Sequence, residues 1–163
     1  MKRGQHILFL TVVIQWAILT KVLSQSHWET AIYAEDTWHY FVGTTAPSAN
    51  WKDLDFDENN WSSGLGGFGY SDGDDNTVIP NTLAVFIRKS FQVNDLDEIL
   101  SAVVHCDYDD GFVAYLNGVE VARSYNMGTP GSIVHYDQTT DSDHEAVMYQ
   151  GGVPDVFLSL IHI

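Results

Sequence analysis

The stretch Phe112-Val-Ala-Tyr-Leu-Asn-Gly-Val-Glu-Val-Ala-Arg123 decides the fold class of this 163-residue chain. Asn117-Gly118 is the dipeptide that most readily takes the two positive φ angles of a type I′ turn. The flanking residues are β-branched, aromatic or small, so the sequence predicts a tight hairpin with Leu116 opposite Val119. Counted outward from the turn, the same register gives four more facing pairs: Tyr115 with Glu120, Ala114 with Val121, Val113 with Ala122, and Phe112 with Arg123.

The rest of the chain after residue 25 shows the same kind of pattern as this hairpin. No helix-period stretch of useful length occurs, and short β-branched or aromatic runs recur between clusters of Gly, Asn, Asp and Ser. The pattern predicts an all-β fold, a two-sheet sandwich of the jelly-roll type. The predicted strands are Ala31 to Ala34, Trp38 to Val42, Leu83 to Val93, Ile99 to Asp107, Phe112 to Leu116, Val119 to Tyr125, Ile133 to Tyr136 and Val156 to Leu160.

The segment between Pro47 and Pro80 is predicted to be mostly loop, although it is rich in aromatic residues. A loop of this length stays ordered only if its side chains are buried against the sandwich. We expect its aromatic residues to supply that burial, and Arg88 and Arg123 to form ion pairs with acidic loops. The aromatic residues concerned are Trp51, Trp61, Phe68 and Tyr70.

The first 24 residues have the pattern of a secretory signal. Lys2 and Arg3 precede an apolar run from Ile7 to Leu19, and the segment closes at Ser24. The run is shorter than the roughly 20 residues that span a bilayer, which favours a cleaved signal over an uncleaved N-terminal anchor. Both interpretations place the remaining chain, residues 25–163, outside the cytoplasm as one domain.

The charge and the cysteine content exclude several function classes. The chain has 22 acidic and seven basic residues, and a net charge of -15. Nucleic acid binding is excluded as the default because it requires clustered Lys and Arg. Cys106 is the single cysteine, so no disulfide within the chain and no thiolate zinc cage can form. We expect Cys106 to be a small buried hydrophobic residue and not a nucleophile.

Three blocks of sequence resemble one known family. The first is Trp51 followed by Asp55-Phe-Asp-Glu-Asn-Asn-Trp61 and Gly67-Phe-Gly-Tyr-Ser-Asp72. The second is Ile87-Arg-Lys-Ser-Phe91, and the third is the hairpin with its preceding loop, from Asp109 to Arg123. Together they resemble the galactose-binding-like β-sandwich modules of secreted bacterial proteins, which are similar to carbohydrate-binding modules.

This resemblance implies a noncatalytic extracellular module that binds carbohydrate and targets a larger protein to glycan. The alternative is an architectural spacer or interaction domain that packs on a neighbouring catalytic or cell-wall domain without binding sugar. The chain departs from the family near its end, where the late strand of the family is missing. Residues 158–163 resemble translated adapter sequence, so the sequence predicts a module truncated at its C-terminus.

Sugar binding by sandwiches of this kind uses exposed aromatic faces together with polar side chains aimed at hydroxyls. Trp51 and Trp61 belong to the aromatic candidates, but the family resemblance favours Trp61 as a core residue. Asp109 and Asp110 have two possible roles, ligand contact or capping of the loop that leads into the hairpin. The predicted ligand-binding residues are Tyr70, Tyr108, Asp109, Asp110, Arg123, Tyr125 and Asn126.

The turn Asp72-Gly-Asp-Asp-Asn76 is the candidate calcium site. Asp72, Asp74 and Asn76 place oxygen ligands at alternating positions, which suits a hard cation. The alternative is a solvated turn, since the ligand spacing of an EF-hand is absent.

No sequence pattern indicates an enzyme. His105-x-Asp107 and His135-x-Asp137 do not form a known metallohydrolase set, and strand alternation alone places each pair on one face. A nucleophile elbow, a phosphate-binding loop and a dinucleotide fingerprint are all missing from the sequence. The sequence therefore predicts a binding or structural module with carbohydrate as its partner.

Overall fold

The structure, a computed structural model, describes residues 26–71 and 73–158. These residues form short β-strands and one three-residue 3₁₀ turn at Met148–Gln150, which confirms the all-β prediction. The predicted signal segment, Asp72 and residues 159–163 lie outside the described part. The strands are β1 Thr37–Val42, β2 Ser62–Leu65, β3 Phe68–Gly69, β4 Thr77–Val78, β5 Val85–Arg88, β6 Val103–Cys106, β7 Val113–Leu116, β8 Val119–Arg123 and β9 Asp155–Leu158.

The strands pair in four small sheets. β1 is the central strand of the largest sheet and lies antiparallel to both β2 and β5, with Tyr40 opposite Ser62 on one side and Ile87 on the other. β3 and β4 form a short parallel pair, whereas β6 pairs with β9 and β7 with β8 in antiparallel fashion. Across residues 26–71 and 73–158, helices long and apolar enough to cross a bilayer are absent.

The predicted hairpin forms, with a bulge that the sequence reading did not foresee. Leu116 faces Val119 and Tyr115 faces Glu120, as predicted. The bulge then shifts the register by one residue, so the expected partners beyond it are wrong: Ala114 faces Ala122, and Val113 faces Arg123. An extra residue in one strand lets two successive side chains turn inward. Val121 and Ala122 are accordingly both buried.

Two predicted strands do not form, and three short ones were missed. Residues 31–34 enter a turn, because the Asp36 carboxylate accepts the Tyr33 N–H at 3.1 Å while the Asp36 N–H donates to the Tyr33 carbonyl. Residues 133–135 have no regular secondary structure, and Tyr136 lies in the turn that the Gln138 N–H closes on the His135 carbonyl. β2, β3 and β4 all lie in the segment predicted to be mostly loop; β2 and β3 contain Gly or Ser, which have low strand propensity, and β3 and β4 are only two residues long.

The long segment between β1 and β2 is anchored by one arginine on β5. Arg88 Nε lies 2.6 Å from Glu58 Oε2, and its Nη1 donates to the carbonyls of Trp51 and Asp53. The guanidinium also stands 5.1 Å from the centroid of the Phe56 ring. Both side chains of the ion pair are largely buried. Arg88 therefore fixes three points of the segment at once, as the sequence led us to expect of an ion pair with an acidic loop.

An aromatic cluster of Tyr108, Phe112 and Phe157 packs the hairpin onto β9. The Phe112 ring centroid lies 4.8 Å from that of Phe157 and 4.9 Å from that of Tyr108. Tyr108 and the nearby Met127 are buried, together with Val121 of β8. These contacts join the β7–β8 pair to the β6–β9 pair, which remain separate two-stranded sheets in the part of the chain that the structure describes.

Replacing Arg88 with alanine is expected to lower the free energy of unfolding by about 3 kcal/mol, because the largely buried Glu58 carboxylate then keeps only His39, at 3.9 Å, as a basic neighbour. The matched control is Lys89→Ala. Lys89 lies 3.5 Å from Asp36 in a more exposed pair, whose loss costs about 0–1 kcal/mol. Urea denaturation of the two variants provides the measurement. Equal losses in both would show that the Arg88 contacts do not anchor the segment.

Replacing Gly118 with alanine is expected to destabilise the hairpin by about 1–2 kcal/mol, because its φ of +84° is costly for a residue with a Cβ atom. Asn117→Gly is the control, since glycine tolerates the φ of +50° at that position. Thermal denaturation followed by circular dichroism compares the two variants. A Gly118→Ala variant as stable as Asn117→Gly would contradict the turn assignment.

Candidate functional site

Trp51 lies at the centre of an aromatic cluster. Its ring stacks on Trp61 at 6.2 Å between centroids and meets the edges of Phe86 and Tyr115 at 5.1 Å and 5.9 Å. Trp61 in turn contacts Phe41 of β1 at 5.6 Å. The ring of Trp51 is therefore held from three sides by residues of β5, β7 and its own segment.

A cleft of about 210 Å³ opens beside Trp51. One wall is the loop 46–49 that follows β1, and the other is the irregular segment 133–136. Trp51 and Phe86 lie between these walls. The lining residues that carry chemistry are Ser48, Trp51, Lys52, Phe86, His135 and Tyr136. The cleft therefore combines aromatic surface with hydroxyl, ammonium and imidazole groups.

The polar groups of the cleft are held by local contacts. The Ser48 hydroxyl donates to Asn50 Oδ1 at 2.6 Å, in the turn that leads into Trp51. Lys52 Nζ stands 4.2 Å from the centroid of the Tyr115 ring, a cation–π geometry. The His135 carbonyl accepts the Gln138 N–H at 3.1 Å, which closes the turn at the end of the second wall. This arrangement can hold a small ligand that offers an apolar face and hydrogen-bonding groups.

A second cluster of polar side chains surrounds the loop after β6. The two oxygens of Asp107 accept the N–H groups of Val147 and Met148 at 2.8 and 3.0 Å. Asp110 Oδ1 accepts the His144 N–H at 3.0 Å. These carboxylates tie the segment 144–148 to the loop, so Asp110 has the structural role that the sequence left open beside ligand contact.

Tyr108 and His144 form the interior of this second cluster. Their rings stack at 4.0 Å, and His144 Nδ1 lies 3.0 Å from the Tyr108 carbonyl. Tyr108 Oη donates to Asp155 Oδ2 at 3.1 Å, and His144 Nε2 lies 3.4 Å from the same oxygen. Burial, followed by the hydrogen bond to Asp155, raises the pKa of Tyr108 to about 12. Tyr108 therefore remains a neutral donor at physiological pH.

The predicted ligand residues divide into buried and exposed groups. Tyr108 is 7% exposed and Asn126 2% exposed. Asn126 Nδ2 donates to the carbonyls of Asp110 and Ser142 at 2.9 and 2.6 Å, so this side chain joins two loops. Tyr70 and Tyr125, by contrast, are exposed on the surface. Asp109 also lies at an exposed position of its loop.

Arg123 is enclosed by its own hairpin. Its guanidinium donates to Glu120 through Nε and Nη2 at 2.9 and 2.7 Å, and to the carbonyls of Met127 and Ser132 at 2.6 and 2.8 Å. The hydrogen bonds to Arg123 lower the pKa of Glu120, and the same bonds raise the pKa of Arg123. Its side chain is 2% exposed.

The candidate calcium turn is described only in part, because Asp72 lies outside the described residues. Asn76 Nδ2 donates to the Gly66 carbonyl at 2.8 Å, so this amide already serves the neighbouring turn. In the part of the chain that the structure describes, no three His, Cys, Asp or Glu side chains are grouped so as to hold a metal ion. Calcium binding by Asp72, Asp74 and Asn76 stays a prediction.

The cleft residues were only partly visible in the sequence. The sequence indicated Trp51 as an aromatic candidate for sugar binding and His135 only as a possible metal ligand. It did not predict Lys52 or Tyr136 as site residues. The two walls are separated by 84 positions in the sequence, from residue 49 to residue 133, and no local sequence pattern indicates that they meet. The signal that could have indicated a site was the pairing of His135 with Tyr136, but residues 133–136 were interpreted as a strand.

Comparison of the chain with protein-family models, curated proteins and solved structures gave no match.

Cys106 is expected to react slowly with iodoacetamide. Burial, followed by the charges of Asp107 and Asp155, raises its pKa from 9.0 to about 11. At pH 8 the thiolate fraction, and hence the alkylation rate, should be about a hundredfold lower than in the guanidine-unfolded chain. Mass spectrometry follows the reaction at this single cysteine.

The same shift has a consequence for stability. Between pH 9 and pH 11 the unfolded chain loses the Cys106 proton while the folded chain retains it, so this residue makes the free energy of unfolding fall as pH rises. Cys106→Ala should remove that component. Native alkylation as fast as in the unfolded chain would show that the thiol is not buried as described.

Proposed function

We propose that this protein is a noncatalytic carbohydrate-binding module, and that the cleft beside Trp51 is its binding site. The observation that carries the proposal is the pairing of aromatic side chains, Trp51 and Tyr136, with the polar groups of Ser48, Lys52 and His135 in one cleft. A sugar ring offers the complementary surface, with an apolar C–H face and hydroxyls around its edge. Small-molecule sites typically combine these elements.

The size of the cleft supports recognition of a single sugar residue. Its volume of about 210 Å³ is below the range of about 300–1,000 Å³ that encloses drug-sized ligands. A ligand of this size would be a chain end or a side branch of a polysaccharide, with the remainder in solvent. Weak binding of this kind becomes effective when several copies or modules act together.

The lining also supports a binding role and not a hydrolytic one. Glycoside hydrolysis uses two carboxyl groups on either side of the scissile bond. The residues that line the cleft include neither Asp nor Glu. The proposal is therefore a module that holds its ligand without cleaving it.

The wider role follows from the family resemblance. A module of this type is extracellular, is delivered by the segment 1–24, and attaches an adjacent catalytic domain of a larger protein to glycan. Its fold is proposed to be the galactose-binding-like sandwich of the jelly-roll type. Calcium at Asp72, Asp74 and Asn76 would serve to make an exposed turn rigid.

A second candidate function is that of an interaction domain that binds no sugar. A cleft of about 340 Å³ between β8 and β9 favours it, because Val121, Phe157 and Leu158 give this cleft an apolar lining. Val156 and Leu158 are largely exposed there. Exposed apolar residues at the edges of short sheets are typical of surfaces that pack on another domain.

Affinity electrophoresis through gels that contain different polysaccharides tests the proposed function. Retardation by at least one polysaccharide is expected, and Tyr136→Ala should weaken it about tenfold because one aromatic contact is lost. Tyr33→Ala is the matched control, since Tyr33 is an exposed aromatic residue away from the cleft.

Two further variants separate the cleft from the loop residues predicted by sequence. Tyr70→Ala and Tyr125→Ala should leave retardation unchanged if the ligand lies beside Trp51. Loss of retardation in these variants, with Tyr136→Ala unaffected, would move the site to the loops. An absence of retardation on every polysaccharide would contradict sugar binding and favour the interaction domain.

A further inference from the structure

We infer that the cleft beside Trp51 selects a sugar residue that carries a negative charge, such as a uronic acid or a sulfated sugar. The inference rests on the proposed function and specifies the class of its ligand. The juxtaposition that carries it is a cleft without acidic lining residues, with Lys52 and His135 among the residues that line it, in a chain of net charge -15.

The charge of the cleft differs from that of the chain as a whole. Acidic residues outnumber basic ones 22 to seven in the sequence, yet the lining contains one lysine, one histidine and no Asp or Glu. Asp137 follows the second wall in sequence but is not among the lining residues. The lining supplies hydroxyl, imidazole and ammonium groups, and the positive charge of Lys52 is complementary to a carboxylate or a sulfate.

Lys52 differs from the other basic side chains of the described residues in its contacts. Arg88 pairs with Glu58, Lys89 with Asp36 and Arg123 with Glu120. Lys52 instead lies on the Tyr115 ring, and none of the carboxylates in residues 26–71 and 73–158 forms an ion pair with it.

Glu120 interacts electrostatically with Lys52 but does not neutralise it. Lys52 contributes to the lowered pKa of Glu120, but the hydrogen bonds from Arg123 are the main cause. Both Glu120 carboxylate oxygens already accept hydrogen bonds from the Arg123 guanidinium. Lys52 lines the cleft and forms no ion pair with a carboxylate of the described residues, so its positive charge is available to an anion bound there.

The aromatic residues of the cleft add the requirement for a ring. The rings of Trp51 and Phe86 meet edge to face with 5.1 Å between their centroids, and Tyr136 belongs to the wall formed by residues 133–136. A pyranose can lie against this surface while its carboxylate or sulfate oxygen accepts a hydrogen bond from Lys52. A simple anion would contact Lys52 but not the aromatic residues, so the ligand class is a charged sugar and not a free anion.

Titration of the full chain with methyl glycosides, followed by Trp fluorescence and NMR, tests the inference. The probes are the methyl glycosides of glucose and galactose, the corresponding uronides, and the 6-sulfates. We expect the charged member of at least one pair to bind about tenfold more tightly than its neutral partner, as one charge-assisted hydrogen bond provides. Added salt should reduce this preference.

Lys52→Gln is expected to abolish the preference, and Lys52→Arg to retain it. Lys89→Gln is the matched control, because Lys89 pairs with Asp36 outside the cleft. A thermal scan of each variant confirms that it is folded.

Three outcomes would overturn the inference. Equal binding of neutral and charged sugars, unchanged in Lys52→Gln, would overturn the charge selection and leave carbohydrate binding intact. Acetate or sulfate binding as tightly as the uronides or the sulfated sugars would reduce the site to an anion site. No binding of any probe would overturn the cleft as a sugar site, and the proposed function with it.

Discussion

The contact between Arg88 and the segment that follows β1 is the constraint on which the rest of the structure depends. One guanidinium holds the Glu58 carboxylate and two backbone carbonyls, at Trp51 and Asp53, of a segment that has no strand before β2. Once these points are fixed, the Trp51 ring must lie between β5 and β7. The cleft is the space left between that ring and segment 133–136.

Carboxylates of the loop after β6 likewise anchor an irregular segment, residues 144–148. Asp107 and Asp110 accept backbone N–H groups of the segment before β9, and Asp155 of β9 accepts the Tyr108 hydroxyl. Part of the large acidic excess therefore serves to satisfy backbone donors in loops that lack regular partners. Four small sheets can form one body because side chains make connections that backbone ladders do not.

The sequence predicted the hairpin turn, the all-β class and the packing of Trp51 and Trp61 for physical reasons that are local, whereas Tyr70 of the same segment is exposed and that part of the prediction was wrong. Asn117-Gly118 sets the turn, and a two-residue turn sets the pairing of Leu116 with Val119. The pairing beyond it was wrong, because a bulge depends on what the strands pack against. Strand β2, with two serines and a glycine among its four residues, is held by its neighbour β1 and not by its own propensity.

The sequence by itself determined the class of fold, the excess of negative charge and the chemical identity of the loop residues, because these depend on composition and on short-range pattern. The tertiary structure alone decided which of these residues meet. It enclosed Arg123 and Asn126 within loops and brought Lys52 and Tyr136 to one cleft. Residues 84 or more positions apart carry no sequence record of their contact, since proximity at that distance follows from the packing of the whole chain.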